Sequence, residues 1–299
     1  MANNLKEVRL NLLTTPFNLD HTLTCGQTFR WEKHDKWWHG IVRKSFVKIR
    51  QIENILQFRT FPEHVGDDLI RSYFRLDDDL PRIYSRIEKD KLIRKAVKKF
   101  RGLRLLRQDP WECLISYICA THKNIPAIKA MINNICIRFG KKIIAEDSEV
   151  YRFPVPDDLA QASIEELRLC KLGFRAERVK HASRLVSNGN LNLEALKEMP
   201  YEKAKKKLLS LPGVGPKVAD CILLFSLEKL EAFPIDVWMK RVVLESYRTH
   251  FELAFAEKVA KKKSLSHNEY EVLRSFGKKH FGEYVGYAQE YLFHFKRCQ

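Results

Sequence analysis

The sequence predicts an α+β protein, with an N-terminal antiparallel β-sheet followed by an all-α body that contains a helix, a glycine hairpin and a second helix. Apolar and polar residues alternate over short runs in residues 1–61, which is the period of a strand with one buried face. After Pro62 the apolar residues recur at helical spacing, and this spacing is expected to continue to the end. Residues 211–221, LPGVGPKVADC, end one apolar run and begin another.

The sheet is predicted from three alternating segments, residues 8–12, 46–52 and 55–59. Between the first two segments lies CGQTFRW, residues 25–31. Gly26 in this motif predicts either a β-bulge or a place where the backbone approaches a ligand closely. Taken alone, the motif favours the bulge.

The helical body is predicted from apolar runs with recognisable ends. Asp109 is suited to cap a helix whose first residue is Pro110, and Ser163 with Glu166 fits a capping box. A boundary near residue 100 divides a sheet domain with flanking helices, 1–100, from a helical domain, 101–299, with the helix-hairpin-helix at about 203–228. The predicted helices cover residues 67–76, 90–100, 111–120, 125–139, 176–187, 201–211, 237–247, 268–280 and 284–296.

Charge narrows the classes of function. The net charge of +17 on 299 residues favours a polyanionic partner, and nucleic acid is the first candidate. Any single lysine run, such as residues 205–207 or 261–263, is equally well a solvated helix face. With 45% hydrophobic residues the chain is expected to be globular, and no apolar run approaches the roughly 18 residues of a membrane helix.

Cysteine usage and the start of the chain bear on location. Seven cysteines without a CxxC pair indicate reduced thiols rather than a disulfide framework or a zinc ribbon. The first residues have no signal-peptide pattern. We therefore expect an intracellular location, cytoplasmic in a prokaryote and nuclear in a eukaryote. The protein is also expected to be a monomer.

The glycine hairpin is the first candidate for chemistry. Gly213 and Gly215 allow the φ > 0 backbone of a tight turn, and Pro216 suits the first residue of a helix. Backbone N–H groups at such a helix N-terminus can hold a phosphate. Lys217 and Cys221, four residues apart, share one face of this helix.

Lys217 and Asp236, in FPID at 233–236, are each open to two interpretations. A desolvated lysine can lose its proton and form a Schiff base with a sugar carbon, and a nearby carboxylate can stabilise positive charge on that sugar. On spacing alone, Lys217 is more often an exposed lysine that contacts phosphate, and Asp236 is as often an ordinary helix cap.

Five motifs occur in an order that resembles one family. They are CGQTFRW at 25–31, GLRLLRQDPWECL at 102–114, KLGFRAERV at 171–179, the hairpin with FPID, and GYAQEYLF at 286–293. The hairpin and its aspartate resemble the helix-hairpin-helix DNA glycosylases. The full set, which covers nearly the whole chain, resembles the 8-oxoguanine DNA glycosylases of the eukaryotic type. The resemblance implies that the sheet is a TATA-binding-protein-like lobe.

The resemblance also implies an activity and its catalytic residues. The expected enzyme binds duplex DNA that contains 8-oxoguanine, excises that base in base excision repair, and nicks the strand 3′ of the lesion by β-elimination. Lys217 matches the lysine that attacks C1′ of the sugar and forms the Schiff base. Asp236 matches the catalytic aspartate.

An enzyme that works on a base must extrude the base and hold it between flat or apolar faces. By resemblance, Gly26 supplies a carbonyl for the N7–H that guanine lacks, and Gln289 lies at the pairing edge. Phe293 and Cys221 match the residues on the two faces of the flipped base.

Further implied contacts involve the DNA backbone and a cation. The amides of Gly213, Gly215 and Val218 match those that hold a phosphate. A structural monovalent or divalent cation is possible at the hairpin, on the carbonyls of Leu209, Leu211 and Val214. No cofactor is required by lysine chemistry, and no iron–sulfur cluster is expected, because only Cys298 follows Cys221.

The opposite-base positions depart from the family pattern. Members that insist on cytosine opposite the lesion have asparagine where this chain has His122, arginine where it has Ala127 and tyrosine where it has Phe174, so that only Arg175 of this group remains. Trp238 replaces a histidine near the catalytic aspartate that touches phosphate. These departures predict a relaxed opposite-base preference.

Two alternatives stay open. One is another glycosylase of the same superfamily, which acts on adenine or on alkylated bases; adenine-excising relatives usually carry an iron–sulfur loop, and alkyl-base enzymes commonly lack the hairpin lysine. The other is a non-catalytic DNA-binding module, which would need neither Lys217 with Asp236 nor the base-recognition residues.

Overall fold

The N-terminal sheet contains five antiparallel strands. The structure is a computed structural model that describes residues 5–61, 66–145 and 148–299. The strands are β1 Lys6–Arg9, β2 Glu32–His34, β3 Trp37–Val42, β4 Ser45–Ile52 and β5 Ile55–Phe61, in the spatial order β1-β5-β4-β3-β2. The predicted segments 46–52 and 55–59 are confirmed. The segment 8–12 is wrong at its end, because β1 stops at Arg9.

The register of β4 and β5 explains the alternation in the sequence. Ile49 lies opposite Phe58, and both side chains are buried in a core that the sheet shares with α2. Strands β2 and β3 were not predicted. Gly40 in β3 lies so close to Trp31 that a Cβ there would be 2.3 Å from the indole Cδ2. A contact of this kind does not appear in the sequence as an alternation of apolar and polar residues, so it could not be predicted.

Each of the nine predicted helices has a counterpart in the described chain, with ends that differ by at most a few residues. Asp109 accepts a hydrogen bond from Glu112 N–H at the start of α5, and Ser163 with Glu166 forms the capping box of α8, so both predicted caps are confirmed. The helices are α1 Leu19–Thr24, α2 Asp67–Tyr73, α3 Leu80–Ile87, α4 Lys91–Lys99, α5 Pro110–Cys119, α6 Ile125–Phe139, α7 Pro156–Gln161, α8 Ile164–Leu169, α9 Arg175–Ser187, α10 Leu193–Glu198, α11 Tyr201–Leu209, α12 Pro216–Ser226, α13 Val237–Ser246, α14 Leu253–Lys261, α15 His267–Phe281 and α16 Val285–Arg297.

The expectation of helical structure throughout the chain after Pro62 is wrong. A two-stranded antiparallel hairpin, β6 Lys142–Ala145 and β7 Ser148–Tyr151, interrupts the helices. Ile143 and Ala145 of β6 pack against Ile41 and Phe46 of the main sheet. A four-residue strand shows too little alternation to stand out in a sequence, and this packing decides its structure.

Two main cores follow from this arrangement. The smaller core lies between the sheet and α2, whereas α3 and α4 bury their apolar faces in the large core of the helical body. The domain boundary near residue 100 stays a prediction. Among the described helices, none is both long and apolar enough to cross a membrane. All seven cysteines are free thiols.

Helix α12 lies at the centre of the large core. It packs against α5 and α11, and Leu223 and Leu224 are fully buried. Gly286 in α16 allows a close approach to this helix, since a Cβ there would be 2.2 Å from Leu224 Cδ1. The fold thereby brings the C-terminal helix beside the helix that begins at the hairpin.

Candidate active site

The hairpin between α11 and α12 has a left-handed backbone at Gly213, a conformation that glycine adopts without strain. Gly213 has φ +87, and a Cβ there would lie 2.3 Å from Arg178 Cδ. Gly215 has φ −89 and is extended, so the expectation of a left-handed turn residue is confirmed for Gly213 and wrong for Gly215. Val218 stands in the first turn of α12, where N–H groups have no carbonyl one turn earlier in the helix.

All six residues predicted for catalysis and base recognition line one cavity of about 430 Å³. They come from four parts of the chain: the loop after α1, the first two turns of α12, the residue before α13, and α16. The six are Gly26, Lys217, Cys221, Asp236, Gln289 and Phe293.

Lys217 is half-buried near the start of α12. Its Nζ lies 5.1 Å from the centre of the Tyr117 ring, an arrangement in which the ring face attracts the ammonium. The Tyr117 hydroxyl donates a hydrogen bond to the Gln27 carbonyl at 3.1 Å. The lysine and the Gly26 loop are therefore connected through one aromatic side chain.

Asp236 caps α13 and also faces the cavity, so its two interpretations are compatible. Its Oδ1 accepts a hydrogen bond from Met239 N–H at 2.8 Å. Burial raises the pKa of this carboxyl, while the Met239 amide and the Lys217 charge oppose the rise. The lysine charge and the aspartate are thus electrostatically coupled across the cavity.

A buried polar network holds the Asp236 segment against α12. The Tyr270 hydroxyl donates to Asp220 Oδ2 at 2.6 Å and accepts from Ile235 N–H at 3.2 Å. Asp220 is three residues beyond Lys217 on α12, and Ile235 immediately precedes Asp236. Tyr270 thereby fixes the distance between the two elements that carry the predicted catalytic pair.

Gly26 lies in a loop between α1 and β2 and not in a strand, so the bulge interpretation is wrong. Its φ is +106, and a Cβ there would lie 2.3 Å from Arg297 Nη1. The Arg297 guanidinium donates to the carbonyls of Cys25 at 2.9 Å and Thr24 at 2.6 Å. Glycine is favoured here because an L side chain would be strained at this φ, and a Cβ would also displace the end of the Arg297 side chain.

The other base-recognition residues form walls of the same cavity. Gln289 is 4% exposed, and its Oε1 has no hydrogen-bond partner among the described residues. Phe293 is partly exposed, with the Arg297 guanidinium 5.5 Å from its ring centre. Cys221 is buried, and burial raises the pKa of its thiol to about 12, so it is present as a neutral thiol.

Three of the predicted opposite-base residues, His122, Phe174 and Arg175, lie close to one another and are not among the residues that line the cavity. His122 is exposed with φ +55, and Phe174 is 55% exposed. The buried Arg175 guanidinium donates to the Thr121 carbonyl and lies 4.3 Å from the Phe174 ring centre. Trp238 lies apart from these three, in the wall of the cavity.

Glu290 is one of the cavity residues that sequence reasoning missed. It is 2% exposed on α16, and burial raises the pKa of its carboxyl to about 7. The sequence feature that could have indicated a role for Glu290 is its position as a carboxylate inside the apolar run GYAQEYLF. Tyr117 and Arg297 were also missed, and neither has a distinctive position in the sequence.

The hairpin cation stays a proposal. The Leu211 carbonyl accepts the Val214 N–H at 3.0 Å and keeps one lone pair for another partner. Among the described residues, no group of three His, Cys, Asp or Glu side chains is placed to hold a metal ion. A cation here would depend on backbone carbonyls alone.

The sheet lobe and the helical body with its hairpin beside a deep cavity have the fold of the helix-hairpin-helix DNA glycosylases. The model of the 8-oxoguanine DNA glycosylase N-terminal domain matches residues 9–114. The N-glycosylase/DNA lyase of Saccharomyces cerevisiae is 31% identical over 92% of this chain and 82% of its own.

Solved structures agree over nearly the whole chain. The structure of MBOgg1 with a low-affinity DNA ligand has a TM-score of 0.87 and 32% identity, and the match covers 99% of this chain and 96% of that one. The Clostridium acetobutylicum 8-oxoguanine glycosylase/lyase, bound to double-stranded DNA with cytosine opposite 8-oxoguanine, has a TM-score of 0.83 and 34% identity over 94% and 92%. The chain belongs to the 8-oxoguanine DNA glycosylase family of N-glycosylase/DNA lyases.

Proposed function

We propose that this chain is a bifunctional DNA glycosylase and AP lyase that excises 8-oxoguanine from duplex DNA and then nicks the strand. The single observation that carries the proposal is the cavity in which Lys217 and Asp236 face the base-recognition residues. The relatives support the same substrate, since one of them is an 8-oxoguanine glycosylase/lyase bound to duplex DNA that contains this lesion.

Binding begins at the phosphate backbone. The net charge of +17 favours duplex DNA, and the hairpin amides of Gly213, Gly215 and Val218 hold one phosphate at the start of α12. Arg178, which packs on Gly213, adds a cation beside this phosphate. The lesion then leaves the base stack and enters the cavity. Contacts between the cavity and the base offset the free energy that unstacking costs.

The cavity residues read the base on its faces and edges. Phe293 and Cys221 lie on the two faces, and the Gly26 carbonyl accepts the N7–H that distinguishes 8-oxoguanine from guanine. The unpartnered Gln289 Oε1 accepts a hydrogen bond from the pairing edge, where guanine-type bases carry N–H donors.

Excision and strand cleavage use one amine. Once the Lys217 ammonium has released a proton to solvent, its Nζ lone pair forms a bond to C1′. The electron pair of the C1′–N9 bond leaves with the base, which then takes up a proton. Asp236 stabilises the positive charge that develops on the sugar. Loss of a proton from nitrogen and opening of the sugar give a Schiff base, removal of a C2′ proton expels the 3′ phosphate, and water then releases Lys217.

Several finer properties are part of the proposal. The enzyme acts as a monomer and needs no redox cofactor or iron–sulfur cluster, because the lysine supplies the covalent chemistry. A hairpin cation on the carbonyls of Leu209, Leu211 and Val214 has a structural role. The substrate requires an intracellular location. With His122 and Ala127 at the opposite-base positions, the preference for cytosine is relaxed.

Borohydride trapping tests the proposed function. Duplex DNA with one 8-oxoguanine is incubated with sodium borohydride and wild type, Lys217→Gln, or the exposed control Lys207→Gln. A covalent adduct with wild type and Lys207→Gln, and none with Lys217→Gln, is the expected result. If wild type gives no adduct, base release from the same samples distinguishes a monofunctional glycosylase from a non-catalytic DNA-binding module. Duplexes with an adenine mispair or an alkylated base test the alternative substrates.

A further inference from the structure

Glu290 is a buried carboxyl whose hydrogen-bonding capacity is largely unused. It lines the same cavity as Lys217 and Asp236 and is 2% exposed. Its Oε1 has no hydrogen-bond partner among the described residues. A buried polar atom without a partner is costly, and native structures rarely contain one unless a ligand completes it.

The partner that Glu290 does have is a weak one. The Cys25 thiol lies close to this carboxyl and opposes the rise of its pKa. The Cys25 thiol also lies 3.2 Å from the Thr22 carbonyl, to which it donates, and 3.2 Å from Gln27 Nε2, which donates to the sulfur. The thiol has one hydrogen to share between the Thr22 carbonyl and Glu290, so this contact opposes the rise in the pKa of Glu290 only in part. The single O–H of a protonated Glu290 stays available to a ligand in the cavity.

Burial is the main reason why Glu290 favours the neutral acid. Burial and the negative charge of Asp236 raise the pKa of Glu290, whereas the Cys25 thiol and the cations Arg297 and Lys217 oppose the rise. Further titratable groups face it from the loop after α1, from α5 and from α12, namely Cys25, Tyr117 and Cys221. The resulting pKa of about 7 allows both forms near neutral pH.

Resting on the proposed function, we propose that Glu290 is a catalytic residue of base excision, which in its neutral form donates a hydrogen bond to the flipped base as that base departs. The base leaves with the electron pair of the glycosidic bond, and a donor aimed at developing negative charge lowers the barrier. An ionised Glu290 would instead place a second carboxylate beside Asp236 and repel the leaving base.

Strand cleavage at an abasic site gives an internal control. No base is present at that step, so a residue that acts on the departing base does not affect it. Glu290→Gln keeps the shape and an N–H donor but cannot ionise. Glu290→Leu keeps a similar volume and removes the donor.

The experiment measures single-turnover release of 8-oxoguanine by wild type and both variants between about pH 5.5 and 9, with cleavage of a preformed abasic site as the second readout. The ratio of Glu290→Gln to wild-type excision should rise about tenfold per pH unit above the pKa of Glu290. Glu290→Leu should excise the base about 10- to 100-fold more slowly near pH 6, while all three proteins cleave abasic DNA at rates within about twofold.

Either of two results would overturn the proposal. One is a constant ratio of Glu290→Gln to wild-type excision across this pH range. The other is a loss of abasic-site cleavage in Glu290→Leu that equals its loss of excision, because this would reveal a structural role. If the proposed function itself were wrong, wild type would give no covalent adduct with borohydride, so that outcome can be told apart from a failure of the Glu290 proposal alone.

Discussion

The Lys217 ammonium lies over the ring of Tyr117 at 5.1 Å, and the hydroxyl of the same tyrosine donates to Gln27 beside the Gly26 loop. The side chain that faces the proposed nucleophile thus also supports the loop proposed to read the lesion. Replacement of its ring and of its hydroxyl should therefore have different consequences.

Tyr117→Phe keeps the ring beneath Lys217 and removes the hydrogen bond to the Gln27 carbonyl. We expect excision of 8-oxoguanine to slow about 3- to 10-fold, since a hydrogen bond of this kind is worth about 1 kcal/mol. Cleavage of a preformed abasic site, which needs no base recognition, should stay within about twofold of wild type. Equal losses in the two assays would contradict this separation.

Asp236→Asn separates capping from catalysis. Asparagine caps helices as well as aspartate does, so the free energy of unfolding should change by less than about 0.5 kcal/mol. Excision should fall by about two to three orders of magnitude, because the negative charge that stabilises the sugar is lost. Urea unfolding and single-turnover kinetics on the same preparation provide the comparison. An active Asn variant would mean that Asp236 is only a cap.

Gly26→Ala should impair lesion recognition through two effects. The left-handed backbone at φ +106 costs about 1 kcal/mol for alanine, and the added Cβ would displace Arg297. Gly189→Ala is the matched control, because Gly189 has φ +78 but no atom within 4 Å of the added Cβ. We expect excision to fall at least tenfold in Gly26→Ala and to stay near wild type in Gly189→Ala. Equal losses in the two variants would mean that backbone strain alone causes the defect.

The opposite-base preference can be tested with duplexes that differ only in the base facing 8-oxoguanine. We expect wild type to excise the lesion opposite adenine less than about a hundredfold more slowly than opposite cytosine, since the second arginine fork, worth about 1–3 kcal/mol, is missing at Ala127. His122→Asn with Ala127→Arg should widen the ratio. A hundredfold or larger ratio in wild type would rule out relaxed specificity.

Glu290 also predicts how stability depends on pH. Burial raises its pKa from the ordinary 4.5 to about 7. A carboxyl with a raised pKa stabilises the fold fully below its unfolded pKa, and this contribution is lost as the pH rises through the folded value. The wild type should lose up to about 3 kcal/mol between pH 4.5 and 7 relative to Glu290→Gln. Urea unfolding of both proteins at intervals across this window measures the difference, and parallel curves would disprove it.

Elements with their own repeating pattern could be predicted from the sequence. Helix α6, Ile125–Phe139, has the predicted bounds, because an asparagine cap and fifteen consecutive helical positions define it locally. Strand β3 and the β6–β7 hairpin could not be predicted, since contacts with distant residues such as Trp31 and Phe46 stabilise them.

The same distinction holds at the site. Lys217 and Asp236 stand in motifs whose chemistry and resemblance both indicate a role, and the structure brings them into one cavity. The roles proposed for Glu290 and Tyr117 follow only from their burial and from contacts with residues far away in the sequence. The prediction of a left-handed conformation at Gly215 is wrong, because a glycine before a proline can equally be the extended residue that caps a helix.

The bond between Arg297 and the Cys25 carbonyl joins residues that are 272 positions apart. A contact of this sequence separation requires the closure of a long chain segment. The Gly26 side of the cavity therefore depends on the docking of the last helix, α16, so that the site is assembled only when the fold is complete.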